Sequence, residues 1–169
     1  MLKRARKPGI VAIAALAASM ALHSQTPLFQ DPHHPAAKPH EVDYLYPEQV
    51  TLTAGKPTRV TLHFRIAPGL HINSHTPKEK FLIATDLSLP ADAGVRLEGA
   101  HYPEGADFVL PVDPSTHLNV YTGDFAIDAR LVSTPGDHLV QARLHFQACD
   151  ENACMPPRTI TASIDVISR

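Results

Sequence analysis

His138–Ala148 reads "HLVQARLHFQA", and its alternation is what decides the fold. Val140, Ala142, Leu144, Phe146 and Ala148 fall on one face; Arg143, His145 and Gln147 fall on the other. Strict period-two alternation describes a strand with one face in a core and one in water. Three more stretches repeat it. Thr58–Ile66 sets Val60, Leu62, Phe64 and Ile66 against Thr61, His63 and Arg65. Asp124–Val132 sets Phe125, Ile127, Ala129 and Leu131 against Asp124, Asp128 and Arg130. Arg158–Ile167 sets Ile160, Ala162, Ile164 and Val166 against Thr159, Thr161, Ser163 and Asp165. Such strands belong in antiparallel sheets.

Weaker strands are expected at Val42–Tyr46, Val50–Thr53, Phe81–Leu89 and Val95–Tyr102. Turn signals at Ala54–Pro57, Pro90–Gly94 and Thr134–Asp137 separate them, and no segment carries a helical period. Seven to nine short strands with regular turns predict an all-β fold, an immunoglobulin-like antiparallel β-sandwich. The chain has no tryptophan and its two cysteines are too close in sequence to join two sheets, so an antibody-like domain is excluded. Tyr102–Leu118, "YPEGADFVLPVDPSTHL", breaks the alternation and reads as a long loop. Loops of that length inside a compact domain are often functional, and this one could serve as a lid with Phe108 as its apolar residue.

The N-terminus bears on compartment. Lys3, Arg4, Arg6 and Lys7 precede a thirteen-residue run, Ile10–Leu22, apolar apart from Ser19. A bilayer span needs about 20 apolar residues. A basic start, a short apolar stretch and small residues near Ala21 predict a secretory signal peptide over residues 1–21. Residues 22–40, rich in Pro and His, have too few large apolar side chains for a core and read as a linker. Residues 41–169 remain as one domain of ordinary size. Removal of the leader leaves eleven Lys and Arg against 17 Asp and Glu, a net charge of −6. An acidic chain has no electrostatic footprint for nucleic acid. The mature chain is expected to be exported, with no membrane insertion.

The chain's only cysteines, Cys149 and Cys154, stand at the end of the quoted strand in "QACDENACMPP". Four residues separate them, a normal hairpin-loop length. Residues that flank such a loop face each other, about 4.5 Å apart at Cα in a non-hydrogen-bonded pair. A disulfide can close there, and an exported compartment favours it. Three uses stay open. As a staple, a loop of this size removes only about 2 kcal/mol of unfolded-state entropy, and the hairpin already holds the positions together. As metal ligands, two thiolates fall short of the usual four of zinc, with His145 the nearby imidazole. As a redox pair, they need only accessibility and a partner.

Phe146–Cys149 followed by Cys154-Met155-Pro156-Pro157 resembles the active-site hairpin of the N-terminal periplasmic domain of the thiol–disulfide interchange protein DsbD. Ile66–Asn73, Leu87–Pro90 and Tyr102–Gly105 fit the same family in order, so the resemblance runs over roughly Gln49–Val166. It implies an immunoglobulin-like domain that exchanges thiols for disulfides, with no cofactor and no bound metal. It implies Cys154 as the attacking thiol and Cys149 as the resolving one. Phe108 matches the phenylalanine of a cap loop that shields the pair, Asp107 its acidic neighbour, and His71 and Asn73 lie where the family sets site-neighbouring side chains. Its partners would be thioredoxin-fold periplasmic oxidoreductases, and its location the periplasm. The chain ends at Arg169 without the family's membrane and thioredoxin-like domains, so a separate membrane or thioredoxin-like protein is the expected electron donor. One residue fewer lies between the cysteines than in the family pattern. Asp150, Glu151 and Asp107 would raise the thiol pKa. The alternatives are a non-enzymatic β-sandwich binding module with a structural bridge, and a metal-handling protein that uses His33 and His34 of the linker.

Overall fold

The computed structural model describes residues 40–169. The expected leader (1–21) and all but the last residue of the expected linker (22–40) lie outside them.

Long alternating segments become long strands because each can bury every second side chain. Among the described residues there are twelve strands and no helix. Val42–Tyr46 (β1), Thr58–Ile66 (β3), Asp124–Ser133 (β9) and Val95–His101 (β6) form one sheet in the order β1-β3-β9-β6. Gln49–Leu52 (β2), Arg158–Ser168 (β12), Gly136–Phe146 (β10) and Asp86–Ser88 (β5) form a second in the order β2-β12-β10-β5. All pairs are antiparallel except β2 on β12. Phe64, Ile127 and Leu131 from the first sheet join Leu144, Phe146 and Ile164 from the second in one buried cluster. The domain is thus an immunoglobulin-like β-sandwich whose core is made by the predicted apolar faces.

A third, smaller sheet carries the cysteines. His71–Asn73 (β4), Ala106–Leu110 (β7), Asp113–Tyr121 (β8) and Ala148–Cys149 (β11) pair in the order β11-β4-β8-β7. The chain enters β4 from β3 through Ala67-Pro68-Gly69-Leu70, where the Leu70 N–H donates to the Ala67 carbonyl. Pro at the second position and Gly69 at φ +81° meet the demands of a type II turn.

Two segments differ from expectation. Phe81–Leu89 was expected to be a strand, but only Asp86–Ser88 pairs, and Phe81 is 79 % exposed. The apolar run there is a turn-rich connection rather than a core element. Tyr102–Leu118 folds as the β7–β8 hairpin rather than as an irregular loop. Its outer residues are exposed on both strands, so no buried face imposes alternation.

Phe64 is fully buried and stacks on Phe125 with ring centroids 5.3 Å apart. Phe64→Ala is expected to cost about 3–5 kcal/mol in urea unfolding. Leu139→Ala, at a position 63 % exposed on the outer face of β10, is expected to change stability by less than about 0.5 kcal/mol. Equal effects would contradict the assignment of faces.

Candidate functional site

The β10–β12 hairpin determines where the cysteines meet. Its register runs from Gly136↔Ser168 to Phe146↔Arg158 without interruption. Beyond Phe146 the chain leaves the second sheet and adds Ala148 and Cys149 to β4, opposite Ile72 and His71. Cys149 then pairs antiparallel with Cys154, and the two are joined by a disulfide with Cα atoms 3.9 Å apart, closer than the about 4.5 Å expected.

The four-residue loop is closed by its own groups. The Asp150 N–H donates to the Ala153 carbonyl, and Asp150 Oδ1 accepts from the Asn152 and Ala153 N–H groups at 2.7 and 2.8 Å. Those two donors hold the Asp150 carboxyl below its ordinary pKa. The Met155 N–H donates to the Ala148 carbonyl, and Gln147 Nε2 to the Met155 carbonyl. The two cysteines are not equivalent: Cys149 is 3 % exposed, whereas Cys154 lies on the surface.

His71 faces Cys149 in the register and is itself buried. Burial pushes its pKa down, and the Asp150 carboxylate opposes this. The half-buried Phe108 lays its ring against the imidazole, with centroids 4.3 Å apart and planes tilted by 33°. Phe108 therefore touches the residue that stands opposite Cys149. A groove of about 550 Å³ runs along this contact between Leu70, His71, Phe108 and Glu151.

Asn73 stands one pleat further along β4 and serves the framework. Its Nδ2 donates to the Ile83 carbonyl, and its Oδ1 is buried without a hydrogen-bond partner among the described residues. Asp107 precedes Phe108 on β7. Its carboxylate accepts from Lys78 Nζ at 2.6 Å and contacts His117 Nδ1 at 2.7 Å, and these bonds lower its pKa. Lys78, from the segment after β4, and His117, on β8, thus both engage this carboxylate.

Sequence reasoning missed Lys78 and His117. Lys78 sits in an irregular segment 29 residues from Asp107 and carries no pattern. His117 had a signal. In a hairpin that pairs Asp107 with Asn119 and Val109 with His117, Asp107 and His117 are diagonal neighbours on one face. It missed His75 and Tyr102 as well, whose rings stack at 3.7 Å under the hairpin's base. The Tyr102 hydroxyl accepts from the Leu87 N–H and donates to Asp86, and burial pushes its pKa up to about 12. Gly105 admits β7 to this base, because a Cβ there would meet Asn119 Oδ1 at 2.1 Å. No group of three or more His, Cys, Asp and Glu among the described residues is arranged to hold a metal ion, and His33 and His34 lie outside those residues.

Fold and site together define an all-β sandwich with a single disulfide at a surface hairpin, half of it accessible. The chain belongs to the family of the N-terminal domain of thiol:disulfide interchange protein DsbD, whose model matches residues 41–165. Family and bridge together support a thiol–disulfide interchange module, and the domain that gives the family its name is a periplasmic one. No curated protein matches the chain. Among solved structures it is similar to the reduced DsbD N-terminal domain of Neisseria meningitidis, at 20 % identity over 66 % of this chain and 79 % of that one, with a TM-score of 0.45. The N-terminal periplasmic domain of ScsB from Proteus mirabilis aligns at 13 % identity over 73 % of this chain and 43 % of that one, with a TM-score of 0.46. AggA, the major subunit of aggregative adherence fimbriae type I from Escherichia coli, aligns at 10 % identity over 76 % and 94 %, with a TM-score of 0.32. These structural likenesses are loose, and family membership rests on the sequence match.

Proposed function

We propose that this domain carries reducing equivalents in the periplasm, passing them through Cys149 and Cys154 to thioredoxin-fold oxidoreductases and being recharged by a separate membrane or thioredoxin-like donor. On this reading residues 1–21 are the export signal, 22–40 a tether and 41–169 the working module. The observation that carries the proposal is the unequal exposure of the two cysteines, Cys149 buried and Cys154 on the surface. Thiol–disulfide exchange is an in-line attack on sulfur, so it proceeds at the sulfur that a partner can reach.

In the reduced domain the Cys154 thiolate attacks a partner disulfide. A mixed disulfide forms on Cys154, and the partner's other sulfur leaves as a thiolate. Cys149 then attacks Cys154 Sγ, the second partner sulfur departs, and the bridge closes. Two electrons have passed from the cysteine pair to the partner's disulfide. Recharging runs in reverse, with a donor thiolate attacking Cys154. Phe108, in the β7–β8 cap, lies against His71 opposite Cys149, and the Lys78–Asp107 contact ties that cap to the segment after β4 until a partner displaces it.

The trapping pattern tests the order of events. Cys149→Ser should accumulate a mixed disulfide with an oxidised thioredoxin-fold protein, seen on non-reducing gels, whereas Cys154→Ser should accumulate none. The opposite pattern would reverse the assigned roles. Phe108→Ala should speed oxidation of the reduced pair by a small disulfide several-fold. An unchanged rate would remove the cap from the mechanism.

A further inference from the structure

Buried polar atoms in folded proteins are almost always hydrogen-bonded, so an orphan calls for a physical reason. His71 Nε2 is such an orphan, on a side chain only 3 % exposed, with no partner among the described residues. The residue opposite His71 in the register is Cys149. Facing residues of adjacent antiparallel strands project to the same side, with Cβ atoms about 4.5–5.5 Å apart. While the bridge is closed, Cys149 has no proton to offer. Reduction gives it an S–H group, a donor, on the residue directly opposite the one that carries the unpaired nitrogen. The orphan in the oxidised protein thus gains its candidate partner in the reduced one.

We propose that His71 is the proton acceptor for Cys149, taking the thiol proton onto Nε2 as Cys149 attacks the mixed disulfide on Cys154. The proposal rests on the interchange reading above and adds to it the group that activates the buried sulfur. Cys149 needs such a group because exchange requires a thiolate, and a buried thiol is poorly placed to ionise into water. Atoms and electrons balance. The Cys149 proton passes to Nε2, the Cys149–Cys154 bond forms, and the bond from Cys154 to the partner sulfur breaks. The partner thiolate leaves with the electron pair, and His71 returns to neutrality by yielding the proton to that thiolate or to water.

The surroundings keep the imidazole ready to accept. Burial favours its neutral form; the Asp150 carboxylate of the adjoining turn is the charge that opposes this. Glu151 from the same turn lines the groove alongside His71, and β7 contributes only the uncharged Phe108 ring there. At the groove's far side Arg65 and Asp124 engage each other through two hydrogen bonds.

The test uses the reduced full domain and the aromatic disulfide 5,5′-dithiobis(2-nitrobenzoate), followed by stopped-flow absorbance over about pH 5 to 9, a range that spans histidine titration. Attack by Cys154 releases the first chromophoric thiolate, and resolution by Cys149 releases the second. His71→Gln should slow the second release by about ten-fold or more near pH 7, at the modest end of general-base effects, while leaving the first within about two-fold. In the native protein the second release should fall as pH drops through an inflection below the ordinary histidine value of about 6.5. That inflection should be absent from the first release and from the variant. An unchanged second release in His71→Gln overturns the proposal. If the variant does not fold, the native protein decides: a second release with no inflection of its own, or one shared equally by both releases, overturns it as well. Two equivalents released by a native protein that fails these tests sink the proposal alone. A single equivalent, with no bridge formed, sinks the interchange reading along with it.

Discussion

The antiparallel ladder between β10 and β12 is the constraint on which the rest depends. It runs unbroken over the length of both strands, with Val140, Ala142, Leu144 and Phe146 facing inward beside Ala162, Ile164 and Val166. A slip of one residue would turn every one of those side chains toward water, so the register is strongly specified. The two ends of the intervening segment are consequently held in place. Within it, Asp150 closes a turn that sets Cys149 opposite Cys154. The redox pair is placed by the same hydrophobic burial that holds the sandwich together, and the disulfide adds little to that placement.

A second consequence follows from the short third sheet. By leaving the main ladder after Phe146, the chain pairs Cys149 with β4 and brings one sulfur under cover while its partner stays at the surface. One edge of that sheet is the β7–β8 hairpin, whose Phe108 reaches the His71 ring. The buried Cys149 and His71 and the half-buried Phe108 thus lie next to one another, with Cys154 at the surface. On the proposed function, such an arrangement would restrain chance reaction while leaving Cys154 open to a protein that displaces the hairpin.

How much of this could be read beforehand depended on whether a residue's neighbours constrain it. The four long strands were legible, because Phe64, Ile127, Leu144 and Ile164 each recur at the spacing that a half-buried strand demands. The cysteine hairpin was legible from its loop length and flanking strands, and the family from the residues around it. The β7–β8 hairpin was not, since its outer half buries neither face and prolines at positions 111 and 114 imitate a loop. Phe81–Leu89 misled in the opposite direction, apolar in composition but with few of its backbone groups in a ladder. The contact of Asp107 with Lys78 and the facing of His71 and Cys149 join residues distant in sequence. No local pattern encodes them.

The central claim is that the Cys149–Cys154 bridge is a working redox couple, and its reduction potential tests this most directly. Equilibration of the mature domain in dithiol buffers should give a value between about −270 and −180 mV, among the oxidoreductases that exchange electrons with one another. A value below about −300 mV, where structural disulfides lie, would contradict the account. It would make the bridge a staple in a binding module whose ligand is still to be found.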